Sequence, residues 1–399
     1  MSFDLTRRTL VIGLSLLGPA QMLRASTGKS AKRRARRLAT SFSRAKARDG
    51  EVLLPDRGGT RWRAAGPARL DPAGEGLWWF TAADGSLWRL AENPLKPEHL
   101  GATGKGDEHA LLQQWANLLG DGVNGEVNGR HDVGAQIVVR RRRDFAIFGN
   151  GRIRMADGAP VRSGFSILAF VECSVFTVAW ITFDGNRSRR IPKEMPAHNV
   201  QFLGCHRFRV SGVRSVDAVV DGFYIASPTP KDATSHCSDF LFDDCVADGC
   251  FRQGMSIIQG HRGTLRNCVF TNTHGTAPQA GLDLESNPGN PDGSISDITI
   301  DTCRFVGNAG YGFQVSYMAT PIEIELLNSV FEDNARGPIL WGAGSGTIAD
   351  CRFLGDDPTR NVIRTFGPKG AARFRLVRPI VGCADQHSDC RLPDPHPAS

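Results

Sequence analysis

The sequence predicts an all-β chain whose larger part is a single right-handed parallel β-helix, with an N-terminal capping helix and a small β module in front. Three observations predict it. A short motif recurs at uneven intervals, a glycine-led strand follows most recurrences, and an amphipathic helix stands just ahead of the first repeat.

The motif sets an apolar residue three places before a small one, with another apolar residue soon after. It appears at Phe170/Cys173, Phe202/Cys205, Phe242/Cys245, Leu265/Cys268, Ile300/Cys303, Leu326/Ser329 and Ile348/Cys351. The steps between aligned positions are 32, 40, 23, 35, 26 and 22 residues. Strands that stack in register while their turns vary in length give this pattern. Aligned this way, six of the ten cysteines form one inward column, where each acts as a small hydrophobe.

After the motif comes a polar turn through Cys250, Thr273, Asn308, Asn334 and Asp356, with Asn272 beside Thr273. Inward Asn side chains stacked on one another can bond to the backbone of neighbouring coils. The next strand opens on Gly222, Gly254, Gly281 or Gly312. Its period of two turns Phe223/Ile225, Met255/Ile257, Leu282/Leu284 and Phe313/Val315 inward.

Ahead of the repeats, residues 49–95 carry Trp62, Trp78, Trp79 and Trp88 and read as a small antiparallel β module. The segment from Gly101 to Gln113 leads into a helix, with Asp107 as its N-cap and Ala110, Leu111, Trp115, Leu118 and Leu119 as its apolar stripe. Such a helix can cover the open first coil of the solenoid, which spans 96–380.

The formal charge of +7 raises the question of nucleic acid, and its distribution answers it. Residues 1–48 hold twelve Lys/Arg against Asp4 alone, and removing that +11 from +7 leaves −4 for residues 49–399. The basic character belongs to a leader and a linker, so no nucleic-acid partner is predicted. Thr6-Arg7-Arg8-Thr9-Leu10 resembles a twin-arginine export signal, and Leu10–Leu17 is an apolar run too short to span a bilayer. Residues 1–25 are therefore read as a signal peptide, 26–48 as a basic linker, and the protein as periplasmic or secreted. The tail, 381–399, holds Cys383 and Cys390, which export would allow to close a small disulfide loop.

The stretch Gly101-Ala102-Thr103-Gly104-Lys105-Gly106-Asp107-Glu108-His109-Ala110 resembles the opening of the type-3 pectate lyase superfamily. That group includes rhamnogalacturonase-like and tailspike-like proteins. Phe148-Gly149-Asn150-Gly151-Arg152-Ile153 and Ile181 to Asn186 are similar to the first coils of that family. The resemblance covers about residues 96–380. It implies a single-stranded pectin-lyase-like solenoid that handles carbohydrate, as a monomer or a trimer. Asp107-Glu108-His109 stands where the family pattern has paired acids followed by Thr. The chain also has no polygalacturonase-like set of Asn-Thr-Asp, Asp-Asp and Gly-His-Gly motifs.

With Leu282 and Leu284 inward, Asp283 and Glu285 both point out on one strand, their α-carbons roughly 6.6 Å apart. Two carboxyls at about that spacing suit acid/base cleavage of a glycosidic bond, and their repulsion raises one pKa. The rows beside them carry Tyr224, Ser256 and Gln314. The turn Gln259-Gly260-His261-Arg262 is expected to project near the pair from the adjacent coil, with Tyr317 one coil further on. Asp283 and Glu285 are the predicted catalytic residues; Tyr224, Ser256, His261, Arg262, Gln314 and Tyr317 are the predicted substrate contacts. No organic cofactor is required. Ca2+ is left open, because the acid pair with Asn287 could instead hold a structural cation. Two other functions compete with hydrolysis. One is a β-eliminating lyase or uronate C5 epimerase built on Arg262, His261 and the tyrosines. The other is a non-catalytic glycan-binding surface protein.

Overall fold

The computed structural model describes residues 51–54, 60–65, 75, 78–82, 85–160, 166–190, 197–229, 235–287, 290, 294–316, 321–355, 362–382 and 389–390. The chain divides into two compact units at Ala91/Glu92. In the first unit, Glu51–Leu54, Thr60–Ala65, Leu87–Leu90 and Trp79–Thr81 pair antiparallel in that order. Trp62, Phe80, Ala82 and Trp88 form its core, with Trp62 packed edge-on against Phe80 at 5.2 Å.

The second unit is a right-handed parallel β-helix of three sheets. Each coil visits the first sheet, then the second, then the third. The first sheet has nine strands, running from Ile137–Arg140 to Ile363–Thr365. The second has ten, from Gly125–Glu126 to Ala372–Val377. The third has eleven: ten parallel strands from Arg130–Val133 to Ile380–Gly382, and Asp389–Cys390 antiparallel at its end. Like residues stack on like because neighbouring coils are roughly 4.8 Å apart. Phe145, Phe176, Phe208 and Phe240 form one ladder with centroids 5.1, 5.2 and 5.6 Å apart. Phe270, Phe305, Phe331 and Phe353 form another.

The cysteines form two columns, not one. Cys173, Cys205 and Cys237 line the corner between the first and second sheets, where the Cys205 N–H donates to Cys237 Sγ at 3.2 Å. Cys245, Cys268, Cys303, Ser329 and Cys351 line the corner between the second and third. The 40-residue step in the sequence alignment is where it jumped from one corner to the other, because both corners place an apolar residue before a small buried one. All of these cysteines are buried thiols. The predicted Cys383–Cys390 loop, Asp356, Tyr317 and residues 1–48 lie outside the described residues.

The polar turn is a hydrogen-bonded ladder. Asn308 Nδ2 donates to Phe270 O (3.0 Å) and to Asn334 Oδ1 (2.8 Å), and Asn308 Oδ1 accepts from Thr273 Oγ1 (2.9 Å). Asp184 accepts from the Asn186 N–H at 2.8 Å, which fixes its own turn.

The helix is His109–Asn117, and its N-cap is Glu108 rather than Asp107. Asp107 instead accepts from the backbone of His109 and of Gly134. The buried stripe runs through Leu112, Trp115, Ala116 and Leu119, whereas the expected Ala110 is exposed. Gln113 meets the edge of the first sheet as another strand would. Its Oε1 accepts from Val138 N (2.8 Å) and its Nε2 donates to Val138 O (2.9 Å).

Candidate functional site

The glycine that opens each first-sheet strand shapes the site. A Cβ on Gly222, Gly254 or Gly281 would stand 2.6, 2.5 and 2.7 Å from the carbonyl oxygen of the next glycine in the column. Only glycine allows that approach. The position also faces buried Cys250 and Ser215 atoms, so Gly222 and Phe223 both turn toward the core. That break in alternation puts Asp221 and Tyr224 on the same outer side. Asp221 pairs with Gln253, and Tyr224, Ser256, Asp283 and Gln314 are successive partners in the strand register.

Around Asp283 these side chains form one ionic cluster. Arg252 Nε lies 3.0 Å from Asp221 Oδ1, and its Nη2 lies 3.3 Å from Glu285 Oε2. The same guanidinium donates to Gln253 Oε1 from Nε (3.1 Å) and Nη2 (2.7 Å). Because Oε1 is taken by donors, the Gln253 amide nitrogen must face the other way, and it donates to Asp283 Oδ2. Gln314 Nε2 donates to that oxygen too, at 3.3 Å, while Asp283 Oδ1 is buried with no partner. Ser256 Oγ lies against both Asp221 Oδ2, at 2.9 Å, and Gln253 Oε1. His198 Nδ1 stands 3.1 Å from Asp221 Oδ2, and its ring stacks on Tyr224 at 4.0 Å.

Three carboxyls share one guanidinium, and their environments separate them. Burial and the Glu285 charge push Asp283 well above the usual carboxylate range. Burial also raises Glu285, with Arg252 pulling the other way. Asp221 is buried as well, yet Arg252 and His198 hold it below its ordinary value. Burial raises the Tyr224 phenol. Of the three, Asp283 is the one whose surroundings favour keeping a proton, Asp221 the one whose surroundings favour the anion, and Glu285 the most exposed.

Several sequence expectations are corrected here. Asp283 does not stand on an open face: it is 0% exposed, while the Glu285 side chain is 36% exposed. The pair is not alone among neutral neighbours, since Asp221 and Arg252 join it. His261 and Arg262 do not form a turn over the pair. They belong to the strand Gly260–Arg266 of the second sheet. There Arg262 is bound through two nitrogens to Asp239, at 2.7 and 2.9 Å. His261 faces Ser296 and His236, and His236 in turn faces Gln259. Tyr224, Ser256 and Gln314 stand in the rows assigned to them. Asp221, Arg252, Gln253 and His198 were missed, although Asp221 and Gln253 each immediately precede an aligned glycine. A calcium ion does not fit this cluster, because the Arg252 guanidinium fills the place between Asp221 and Glu285. Among the described residues no three His, Cys, Asp or Glu side chains converge as a metal-binding group.

The three parallel sheets define the class: a right-handed parallel β-helix of the pectin-lyase type. No protein-family model matches the sequence, and no curated protein matches it. Among solved structures, the enzymatically active domain of bacteriophage CBA120 tailspike protein 2 superposes with a TM-score of 0.56 at 15% identity. The match covers 87% of this chain and 56% of that one. The chain thus spans little more than half the length of that domain. An endo-xylogalacturonan hydrolase from Aspergillus tubingensis gives 0.47 at 11% identity, over 72% of this chain and 95% of that one. The A-module of a mannuronan C-5 epimerase from Azotobacter vinelandii gives 0.39 at 14%, over 72% and 95%. Among the described residues no helix is long and apolar enough to cross a membrane.

Proposed function

We propose that the chain is a carbohydrate-active enzyme that cleaves a polysaccharide or oligosaccharide by acid/base catalysis with Asp283 and Glu285. The observation that carries this reading is the division of labour between Asp283, inside the strand Leu282–Leu284, and Glu285, just past its end. Asp283, buried beside a second acid, holds a proton to give. Glu285, reachable and beside Arg252, takes one from water. In the proposed step Asp283 protonates the glycosidic oxygen as the C–O bond breaks. Glu285 deprotonates the water that adds to the sugar carbon. Tyr224 and Gln314, both half-buried in the same row, offer a ring face and an amide to the sugar. The tailspike neighbour supports it as well, since the part that superposes on this chain is an enzymatically active domain.

Lyase and epimerase chemistry built on His261 and Arg262 has weaker support, since both side chains are engaged on the second sheet. We also propose that the protein acts outside the cytoplasm, on the strength of the Arg7-Arg8 leader.

The test is a screen of the purified chain against neutral and acidic polysaccharides, following both reducing ends and ultraviolet absorbance. New reducing ends without absorbance, lost in Asp283→Asn and Glu285→Gln, are expected. Absorbance that survives both substitutions would sink this assignment.

A further inference from the structure

We infer that the first-sheet site selects an uncharged glycan over a uronate polymer. This names the substrate class of the site proposed above and rests on that proposal.

Charge is scarce along the outer rows of the coils from Val200–Leu203 to Tyr311–Val315. In the register row that runs over them stand Gln201, Tyr224, Ser256, Asp283 and Gln314. Four of these are an amide, a phenol, a hydroxyl and an amide. The next row, level with Glu285, holds Leu203, Ala226, Ile258 and Ser316, none of them charged. On the other side lie His198, Asp221 and Arg252.

Arg252 is the one guanidinium these described residues present, and it is already committed, as is His198, which is buried between Asp221 and Tyr224. Arg252 Nε and Nη2 are held by Asp221, Gln253 and Glu285. Three carboxyls, Asp221, Asp283 and Glu285, are thus set against a single guanidinium, so the site holds more acid than base.

A uronate polymer brings one carboxylate per sugar. Seated against Glu285, that carboxylate would meet a like charge well inside the roughly 8 Å over which physiological salt screens. Among the described residues of these coils, no uncommitted guanidinium stands beside Glu285 to pair with it. Hydroxyls, by contrast, find donors and acceptors in Gln201, Ser256 and Gln314, and a pyranose face finds Tyr224.

The experiment measures equilibrium binding of the whole chain to galactan, mannan, xylan and dextran, and to polygalacturonate and alginate. Carboxyl-reduced forms of the two uronates complete the set, since reduction removes only the charge. Reducing ends are followed in parallel. Binding to at least one neutral polymer is expected, at least tenfold tighter than to either uronate. Carboxyl reduction is expected to narrow that gap, and Glu285→Gln to narrow it further.

A uronate bound as tightly as the best neutral polymer overturns the inference, and so does a failure to bind any neutral one. Neutral binding without new reducing ends leaves this inference standing and defeats the hydrolytic reading. Reducing ends released from a uronate do the reverse.

Discussion

Two buried ionic clusters lie in the same solenoid, and they are built in opposite ways. At the first coil, His131 is wholly buried with Glu108 Oε2 2.7 Å from its Nδ1 and Glu98 Oε1 3.4 Å from its Nε2. Glu108 also accepts from the Thr103 and Gly104 backbone, so its second oxygen is used as well. At the middle coils, Asp221, Asp283 and Glu285 crowd around Arg252, with His198 against Asp221. Here Asp283 Oδ1 is left without a partner. In the first cluster both oxygens of the buried acid have partners, as expected of a group that holds a fold together. The second leaves a buried carboxyl oxygen of Asp283 unsatisfied at a cost in stability, which fits the catalytic role proposed for it.

Exchanging the neutralising substitutions should separate the two most sharply. Asp283→Asn and Glu285→Gln are expected to lower the cleavage rate by about 10²–10⁴-fold, the range for loss of a positioned acid or base. Their melting temperatures should stay at or above wild type, because Asn is the isostere of the protonated Asp283. His131→Ala should do the opposite. It leaves buried Glu108 without its imidazole partner and facing the exposed Glu98, which costs about 3 kcal/mol by analogy with other broken buried pairs. Steady-state rates and thermal melts on the same four proteins decide it. A His131→Ala variant that melts like wild type would show the first cluster to be ornamental.

The pH dependence sharpens this further. Burial disfavours a charged His131, yet the two carboxylates outweigh burial, and its folded pKa is raised. The stability it contributes is therefore complete below the unfolded value near 6.5 and is lost as pH rises through the raised folded value. The gap in melting temperature between wild type and His131→Gln should shrink toward alkaline pH. Asp283 is raised too, so ionising it in the folded state costs stability as pH climbs. Asp283→Asn escapes that cost, and its advantage over wild type should grow with pH. Melts from pH 5 to 9 give two trends: a shrinking deficit in one variant and a growing gain in the other.

How much of this could be read beforehand follows from how local each feature is. The coil motif, the inward Asn308–Asn334 ladder and the row joining Tyr224, Ser256, Asp283 and Gln314 are set by period-two alternation counted from an aligned glycine. Asp221, Arg252 and Gln253 lie on the far side of that glycine, where the bend puts two consecutive residues inward and breaks the count. The partnership of Glu108 with His131 joins residues 23 apart through a fold that had first to be built. His261 and Arg262 were misplaced because Gly260, which opens a second-sheet strand, has the composition of a turn. The burial of Asp283 depends on neighbouring side chains packing over it, which no strand periodicity reports.

The smallest expected effect concerns a buried network with no charge. Asn308 is 1% exposed and uses both ends of its amide, donating to Phe270 O and Asn334 and accepting from Thr273. Asn308→Ala leaves the Phe270 carbonyl and the Thr273 backbone N–H each short of a partner, while the Thr273 hydroxyl keeps Gln279 O. One such loss costs about 1–3 kcal/mol. The neighbouring coils keep their strand ladders, so the net cost should fall near 2 kcal/mol, below that of His131→Ala. No group in the ladder titrates between pH 5 and 9, so this deficit should be flat across the range where the other two change. Denaturant unfolding at pH 5.5 and 8.5 measures it. A deficit that moved with pH would mean the Asn column is coupled to the Arg252 cluster through Gly281 and Gly312, and the separation between neutral scaffold and ionic site would fail.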